Sequence, residues 1–335
     1  MCLQIPTVFA IFLLGVSQSL SAAPASLPNT DSVLRHDLIT KARVFQHEGY
    51  RARAIVLLQQ ADQLAKQLGE DQNETGLLLA QLYFELGEYP LSLNMTTRIL
   101  DQSQSEIIQA RALNILATVQ SILNDHTTAS NTFTQAYAAS VTAGDKAMTT
   151  TVLTNHLRHE LDNKRGNAAL VIGKQLLPLS STLGMLPESV EIQISIGDLF
   201  IRIADQTGEH SYYGHAFAIL QQAEATAKSQ SQVRLQSHAI GHQGRLLINQ
   251  NKLEDGIRRL TTANFLANTS RSFESAYLWQ WQLARAHRLQ GQTDDAISGY
   301  QTAIATLEQV RTELINGSPF TFPQKVQPLF TELSD

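Results

Sequence analysis

A small residue, followed four and seven positions later by residues able to fill a helix face, recurs along this chain in one register. Ala296, Tyr300 and Ala303 follow Gly291, and Gly256, Leu260 and Ala263 follow Asn251. Ala129, Phe133 and Ala136 follow Asn124; Ser92, Thr96 and Ile99 follow Gly87; Ala54, Leu58 and Ala61 follow Gly49. Two copies are poorer: Ala169, Gly173 and Leu176, and Ala216, Leu220 and Ala223. The anchors are thus residues 54, 92, 129, 169, 216, 256 and 296, spaced by 37 to 47 residues, with three of the steps equal to 40. An apolar stretch of helical period precedes each turn, as in Leu77–Gly87 and Leu113–Asn124.

Each part of the pattern has a physical reason. Gly or Asn ends a helix because it tolerates the left-handed conformation. An Ala, Gly or Ser at the anchor lets a second helix approach the first closely, and the residues four and seven later lie on the same face and fill the gap. One such pair cannot bury its apolar face alone, so neighbours must stack. The expectation is an all-α chain built as a right-handed α-solenoid of about seven helix-turn-helix repeats. Only nine prolines and eighteen glycines in 335 residues argue against a strand-and-hairpin architecture. The 47-residue step contains Asp205–His215, read as an extended loop or helix extension inside the fifth unit.

This pattern resembles the tetratricopeptide repeat (TPR), whose signature runs W-x2-L-G-x2-Y, A-x3-F and P. Leu283, Ala284 and His287, then Ala296 and Tyr300, stand at its places in the last unit; Leu79, Ala80 and Tyr83 do so in the second. The period is nearer 40 than the usual ~34, and the terminal proline is mostly missing. The resemblance covers Leu34 to Thr312.

At the N-terminus, the apolar run Thr7–Val16 is followed by Ser19, Ser21, Ala22, Ala23 and Ala25, which reads as a secretory signal. No Lys or Arg precedes the run, and the first is Arg35. The chain then divides into a signal segment (1–23), a linker (24–33), the repeat array (34–315) and a tail (316–335). The expected location is secreted or periplasmic. Cys2 is the only cysteine, so the body of the chain has no disulfide framework, cysteine zinc site or thiol nucleophile.

In the tail, Leu307–Leu314 prolongs the last helix and Ile315–Pro323 breaks it. An amphipathic helix follows, with Val326, Leu329, Phe330 and Leu333 on one side. The junction, with Glu308 and Arg311 in an E-x-x-R arrangement, is similar to that of bacterial secreted CHAT proteins, caspase-like domains fused to tetratricopeptide repeats. That resemblance implies a regulatory repeat region whose catalytic His–Cys pair lies beyond Asp335, in the same or a separate chain. The alternative is a helix that caps the last repeat. An uncovered apolar face there would need a mate, which makes oligomer formation through this helix a further expectation.

No phosphate-binding loop or nucleophile elbow is present, and Gly173–Leu177 lacks the rest of a P-loop. His238 and His242 have metal-compatible spacing but no third ligand, so neither a metal nor a cofactor is expected. A net charge of −5 argues against nucleic acid as partner. An enzyme built from this segment alone is not expected either.

Solenoids bind partners along a concave surface, and the family resemblance places the first helix of each unit on that wall. On that frame His238, His242 and Arg245, then Trp281, Arg285 and Arg288, face inward near the end of the array. Each trio is spaced i, i+4, i+7. Arg43, Arg111, Arg158 and Arg202 take similar places earlier, together with Glu74, Glu85, Asp162, Glu191 and Asp198. The late groove therefore reads as basic without an acid, suited to a peptide with acidic residues or a free C-terminal carboxylate, with Trp281 as apolar anchor. Arg285 and Arg288 equally suit a solvated charged face, and Trp281 equally suits packing between helices. A shift of one position would exchange Trp281 with Trp279.

Overall fold

The computed structural model describes residues 30–47, 50–184, 189–317 and 322–334. Within them the chain forms fifteen helices and no strand. They are α1 (Thr30–His47), α2 (Arg51–Leu68), α3 (Asn73–Glu85), α4 (Tyr89–Gln102), α5 (Glu106–Ile122), α6 (His126–Thr142), α7 (Lys146–Asp162), α8 (Gly166–Ser180), α9 (Val190–Thr207), α10 (Ser211–Ser229), α11 (Val233–Asn249), α12 (Leu253–Thr269), α13 (Phe273–Leu289), α14 (Thr293–Gly317) and α15 (Phe322–Ser334). The first fourteen form seven hairpins, each an odd-numbered helix followed by an even one. The proposed signal segment lies outside the described residues.

The turns inside the hairpins follow from the residues that read as helix ends. Gly87, Asn124, Asn251 and Gly291 all have positive φ, and Lys164 and Gly208 take the same role in the two poorer units. At Asn124 the chain closes a Schellman motif: Asp125 N–H donates to the Gln120 carbonyl at 3.0 Å and Asn124 N–H to Ser121 at 3.2 Å. The same pair of bonds recurs at Gly87, Lys164, Asn251 and Gly291.

Every anchor lies on an even helix and is buried: Ala54, Ser92, Ala129, Ala169, Ala216, Gly256 and Ala296. Those four and seven positions later are buried as well, from Leu58 and Ala61 to Tyr300 and Ala303. Successive odd helices also pack on one another, α3 on α5, α5 on α7, α7 on α9, α9 on α11 and α11 on α13. The odd helices therefore form the inner, more tightly spaced layer.

Three boundaries differ from the sequence reading. Of the two readings of Asp205–His215, the helix extension fits and the extended loop does not, since α9 runs to Thr207, Gly208 turns the chain and α10 begins at Ser211. Most of the extra length lies in the connection 181–189 between α8 and α9, where the equivalent link between α6 and α7 is only 143–145. Gly184, with φ +63°, and Pro187 were the local signal for it. Residues 30–33, read as linker, open α1, because Ser32 donates to Glu70 and Arg35 bonds both Glu70 and the Asp71 carbonyl. In the tail α14 continues through Ile315 to Gly317, and Pro323 lies in the first turn of α15.

The apolar face of α15 is covered within the chain. Val326 and Leu329 are buried and Leu333 is half-buried, in one cluster with Tyr277, Leu278, Tyr300, Ala303 and Leu307 of α13 and α14. Phe330, read on the same face, points away and is 41% exposed.

One of the tight contacts between helices falls where α11 meets α13. A Cβ on Gly241 would lie 2.5 Å from ring atoms of Trp279, which is itself buried. Gly241→Ala is therefore expected to destabilise the protein by about 1–3 kcal/mol through overpacking against a rigid ring, read from urea unfolding midpoints. An unchanged midpoint would show that α11 and α13 can separate freely.

Candidate functional site: the inner face of the solenoid

The six residues singled out in the sequence fall into two groups. On α11, His238 accepts or donates at 2.8 Å with Ser275 Oγ of α13. The Trp279 ring meets both imidazoles edge-on, 5.7 Å from His238 and 5.4 Å from His242. Trp279 is the buried member of the tryptophan pair and donates its indole N–H to Ser237 Oγ at 3.0 Å. His238 and His242 therefore line the joint between α11 and α13. Burial is the main cause that pulls His238 down to about 3 and His242 to about 4, so both rings are neutral near pH 7.

The late groove is not free of acid, contrary to the sequence reading. Asp198 of α9 lies 2.6 Å from Arg245 and 3.3 Å from His242. Burial alone would raise the Asp198 carboxyl, but Arg245, His242 and Arg202 more than offset it and hold it well below the usual carboxylate range. The reason is the stacking of odd helices: a charge on α9 faces α11 of the next unit, not the charges of its own. Arg43–Glu74, Arg202–Asp162 and Arg234–Glu191 are joined by the same rule.

The second group surrounds an acid that sequence reasoning did not include. Trp281 donates its indole N–H to Glu332 Oε2 of α15 at 2.9 Å, and Arg285 Nε lies 3.4 Å from the same oxygen. Arg288 is exposed and reaches over the Tyr300 ring at 5.9 Å.

Arg158 on α7 differs from these. It appeared in the sequence only as one of several inward arginines. Here it borders two depressions of the inner face, of about 370 Å³ toward α3 and α5 and about 940 Å³ toward α9. It donates to Asn155 Oδ1 at 2.9 Å and to Ser195 Oγ at 3.3 Å, both neutral acceptors. Asn155 in turn donates to Asn114 Oδ1 of α5 at 3.2 Å. Among the described residues no carboxylate lies within ion-pair distance of Arg158. Burial lowers its pKa, and the more distant Asp198 and Asp162 oppose that effect. Thr150, Thr154, Leu183 and Ile192, together with the charged Lys146 and Glu191, also line the larger depression.

The groups behind Arg158 fix α7 in place. His159 Nδ1 lies 2.7 Å from Ser121 Oγ of α5, and Ser130 of α6 donates to Glu160 Oε1 at 2.6 Å. Burial raises the Glu160 carboxyl, but hydrogen bonds from His156 and Ser130 and the charges of His156 and His159 outweigh it and bring the group to about 2. The guanidinium is thus carried on a helix whose buried side is pinned to two neighbours. The sequence signal for the site was weak: an Asn and an Arg three apart on an inward face.

No family model and no curated protein matches this chain. Several solved structures share its fold. The apo form of RapI aligns with a TM-score of 0.58 and 11% identity, over 83% of this chain and 99% of that one. A STAND protein with a tetratricopeptide repeat sensor, PH0952 from Pyrococcus horikoshii, aligns with a TM-score of 0.59 and 13% identity, over 91% of this chain and 50% of that one. The Rap conjugation gene regulator of the plasmid pLS20, in complex with the Phr* peptide, gives 0.56 and 11% identity, over 89% and 82%. At these identities the likeness establishes the fold: an all-α helical-repeat solenoid of the tetratricopeptide type.

The buried histidines give the fold an acid sensitivity. An unfolded histidine takes up its proton near pH 6.5, whereas His238 and His242 stay neutral in the folded chain down to about 3 and 4. Stability is therefore expected to fall as the pH drops below 6.5, by up to about 1.4 kcal/mol per pH unit for each histidine. Below the ordinary carboxylate range, the depressed Glu160 and Asp198 add a further loss. Urea unfolding at pH 7 and pH 5 measures the slope, and His238→Gln should flatten it. An identical slope in that variant would remove His238 as a cause.

Proposed function

We propose that the protein is a peptide-binding scaffold that holds an extended segment of a partner along its inner face, centred on Arg158. The observation that carries this reading is a largely buried guanidinium hydrogen-bonded to neutral Asn155 and Ser195 at the border of an open depression of about 940 Å³. A buried cation without a close counter-ion favours an anion brought by a ligand. A carboxylate fits it: an Asp or Glu side chain, or a free C-terminus. Asn114 and Asn155 present donors and acceptors that match a peptide backbone, and Ile192 and Leu183 offer an apolar wall. The peptide-bound state of the pLS20 regulator, on a similar fold, supports this class of partner.

The reading moves the centre of the site from the late groove to the middle of the array. Arg245 and His242 already face Asp198, and Trp281 and Arg285 already hold Glu332, so none of them offers the partner a free charge. We further place the mature protein outside the cytoplasm, on the strength of the apolar run Thr7–Val16 and the small residues after it. N-terminal sequencing of the protein from its native host is then expected to begin between Ser21 and Ala25.

The binding site is tested with peptides selected by display on the full chain and remeasured by fluorescence polarisation. Arg158→Met should weaken them by about a hundredfold, the scale of truncating one partner of a buried charge pair. Amidating the C-terminus or neutralising the acid of the peptide should do the same. Arg285→Glu should have no effect on these ligands. Equal affinity for Arg158→Met, with unchanged helix content and melting, would sink the assignment.

A further inference from the structure

The last hairpin carries a second, separate feature. Three donors from two helices converge on one oxygen. Glu332 Oε2 takes the Trp281 indole N–H at 2.9 Å and the Tyr300 hydroxyl at 3.2 Å, with Arg285 Nε at 3.4 Å. The Glu332 side chain is only 18% exposed. Burial and the adjacent carboxylate push the Tyr300 phenol up to about 12, so it remains a donor. Beside this cradle runs an apolar seam of Tyr277, Leu278, Ala303, Ile304 and Leu307, into which Val326, Leu329 and Leu333 fit.

A helix that merely shielded the end of the array would need only the apolar seam. Removing Glu332 would leave an indole N–H, a phenol and a guanidinium facing a partly buried wall without their acceptor, which is costly. The cradle is thus specific for a carboxylate set beside an apolar stripe. Its present occupant is held by little else. The helix α15 spans only Phe322–Ser334, and Pro328 in its interior brings no N–H to the helix ladder. A helix this short is not stable alone in water and depends on its packing. Elements with few buried contacts open before the body of a protein.

We infer that the α13–α14 seam is a receptor for an acidic amphipathic helix, and that α15 is its tethered occupant, displaceable by a partner helix of the same pattern. That pattern is read from the occupant: apolar residues at the places of Val326, Leu329 and Leu333, with a glutamate at that of Glu332. The inference does not rest on the Arg158 site, which lies on α7 and shares none of these residues.

The probe is a labelled synthetic peptide with the sequence of residues 322–335, measured by fluorescence polarisation against the full chain. Glu332→Arg sets a cation against Arg285 and should release α15, so the peptide should bind that variant at least tenfold more tightly than the wild type. Glu332→Gln within the peptide should weaken binding at least tenfold. Adding Arg285→Glu to the Glu332→Arg chain should abolish it, while adding Arg158→Met should leave it unchanged. Equal affinity for wild type and Glu332→Arg, or indifference to Arg285→Glu, would overturn the inference. Should Glu332→Arg fail to fold, hydrogen exchange on the wild-type chain decides. The α15 amides should exchange at least tenfold faster than those of α13, and faster again with excess peptide; equal rates overturn it. A wild-type dimer in sedimentation that Glu332→Arg dissociates would assign the occupant to a second copy and overturn tethering within one chain.

Discussion

The close approach of each even helix to its odd partner is the constraint from which the rest of the structure follows. Ala54, Ser92, Ala129, Ala169 and Ala216 are fully buried at that contact, and in the sixth hairpin both sides are glycine. There a Cβ on Gly256 would sit 3.0 Å from the Gly244 carbonyl oxygen, so the two backbones nearly touch. Larger side chains at these places would spread the hairpins, and residues four and seven later, such as Phe133 and Ala136, would no longer fill the gap. The stacking of hairpins, and hence the inner layer of odd helices, depends on this one spacing.

That spacing also decides the electrostatics of the inner face. Because α7, α9, α11 and α13 lie side by side, a charge on one meets charges on the next, as Arg202 meets Asp162 and Arg245 meets Asp198. The exposed pairs of this kind, such as Arg43–Glu74 and Arg234–Glu191, contribute little to stability. They do remove most inward charges from the list of groups that a ligand could use. Among the described residues, Arg111 and Arg288 also lack an ion pair but are exposed, whereas Arg158 is without a close mate under partial burial. Its hydrogen bonds to Asn155 and Ser195 orient the guanidinium without neutralising it, and the pinned His159 and Glu160 next to it hold the helix in place.

Much of this fold was legible in the sequence because its determinants are local and periodic. The anchors 54 to 296 fell on the seven even helices, and Gly87, Asn124, Asn251 and Gly291 ended the helices before them. The long step was misplaced because Asp205–His215 looks polar and turn-rich. Tyr212, however, packs against Phe200 with ring centres 5.3 Å apart, and that contact draws the segment into helix. The candidate site was less legible for a different reason. Helical spacing tells which residues share a face, and it placed Arg158, Arg245 and Arg285 inward. It does not tell which partner each meets, because Asp198 is 47 residues before Arg245 and Glu332 lies 47 after Arg285. Those pairings are set by how one hairpin rotates onto the next, which no local pattern encodes.

The two carboxylate-seeking places therefore differ in origin as well as in position. Among the described residues it is α15 that covers the apolar seam of α13 and α14. Once that helix is seated, Trp281, Arg285 and Tyr300 take an acid that it carries, and the demand is met internally. At α7 the situation is reversed. Its apolar side is already covered by neighbouring hairpins, and the face that remains is polar and concave, lined by Thr150, Thr154, Asn155 and Ser195. Among the described residues no carboxylate lies within ion-pair distance of Arg158, and Thr182, Leu183 and Ser189 border the depression beside it. A charge kept under partial burial has an energetic cost in the free protein. The binding of a carboxylate would recover that cost, which is why affinity for an anionic peptide is concentrated at Arg158, a largely buried arginine with no carboxylate among the described residues within ion-pair distance.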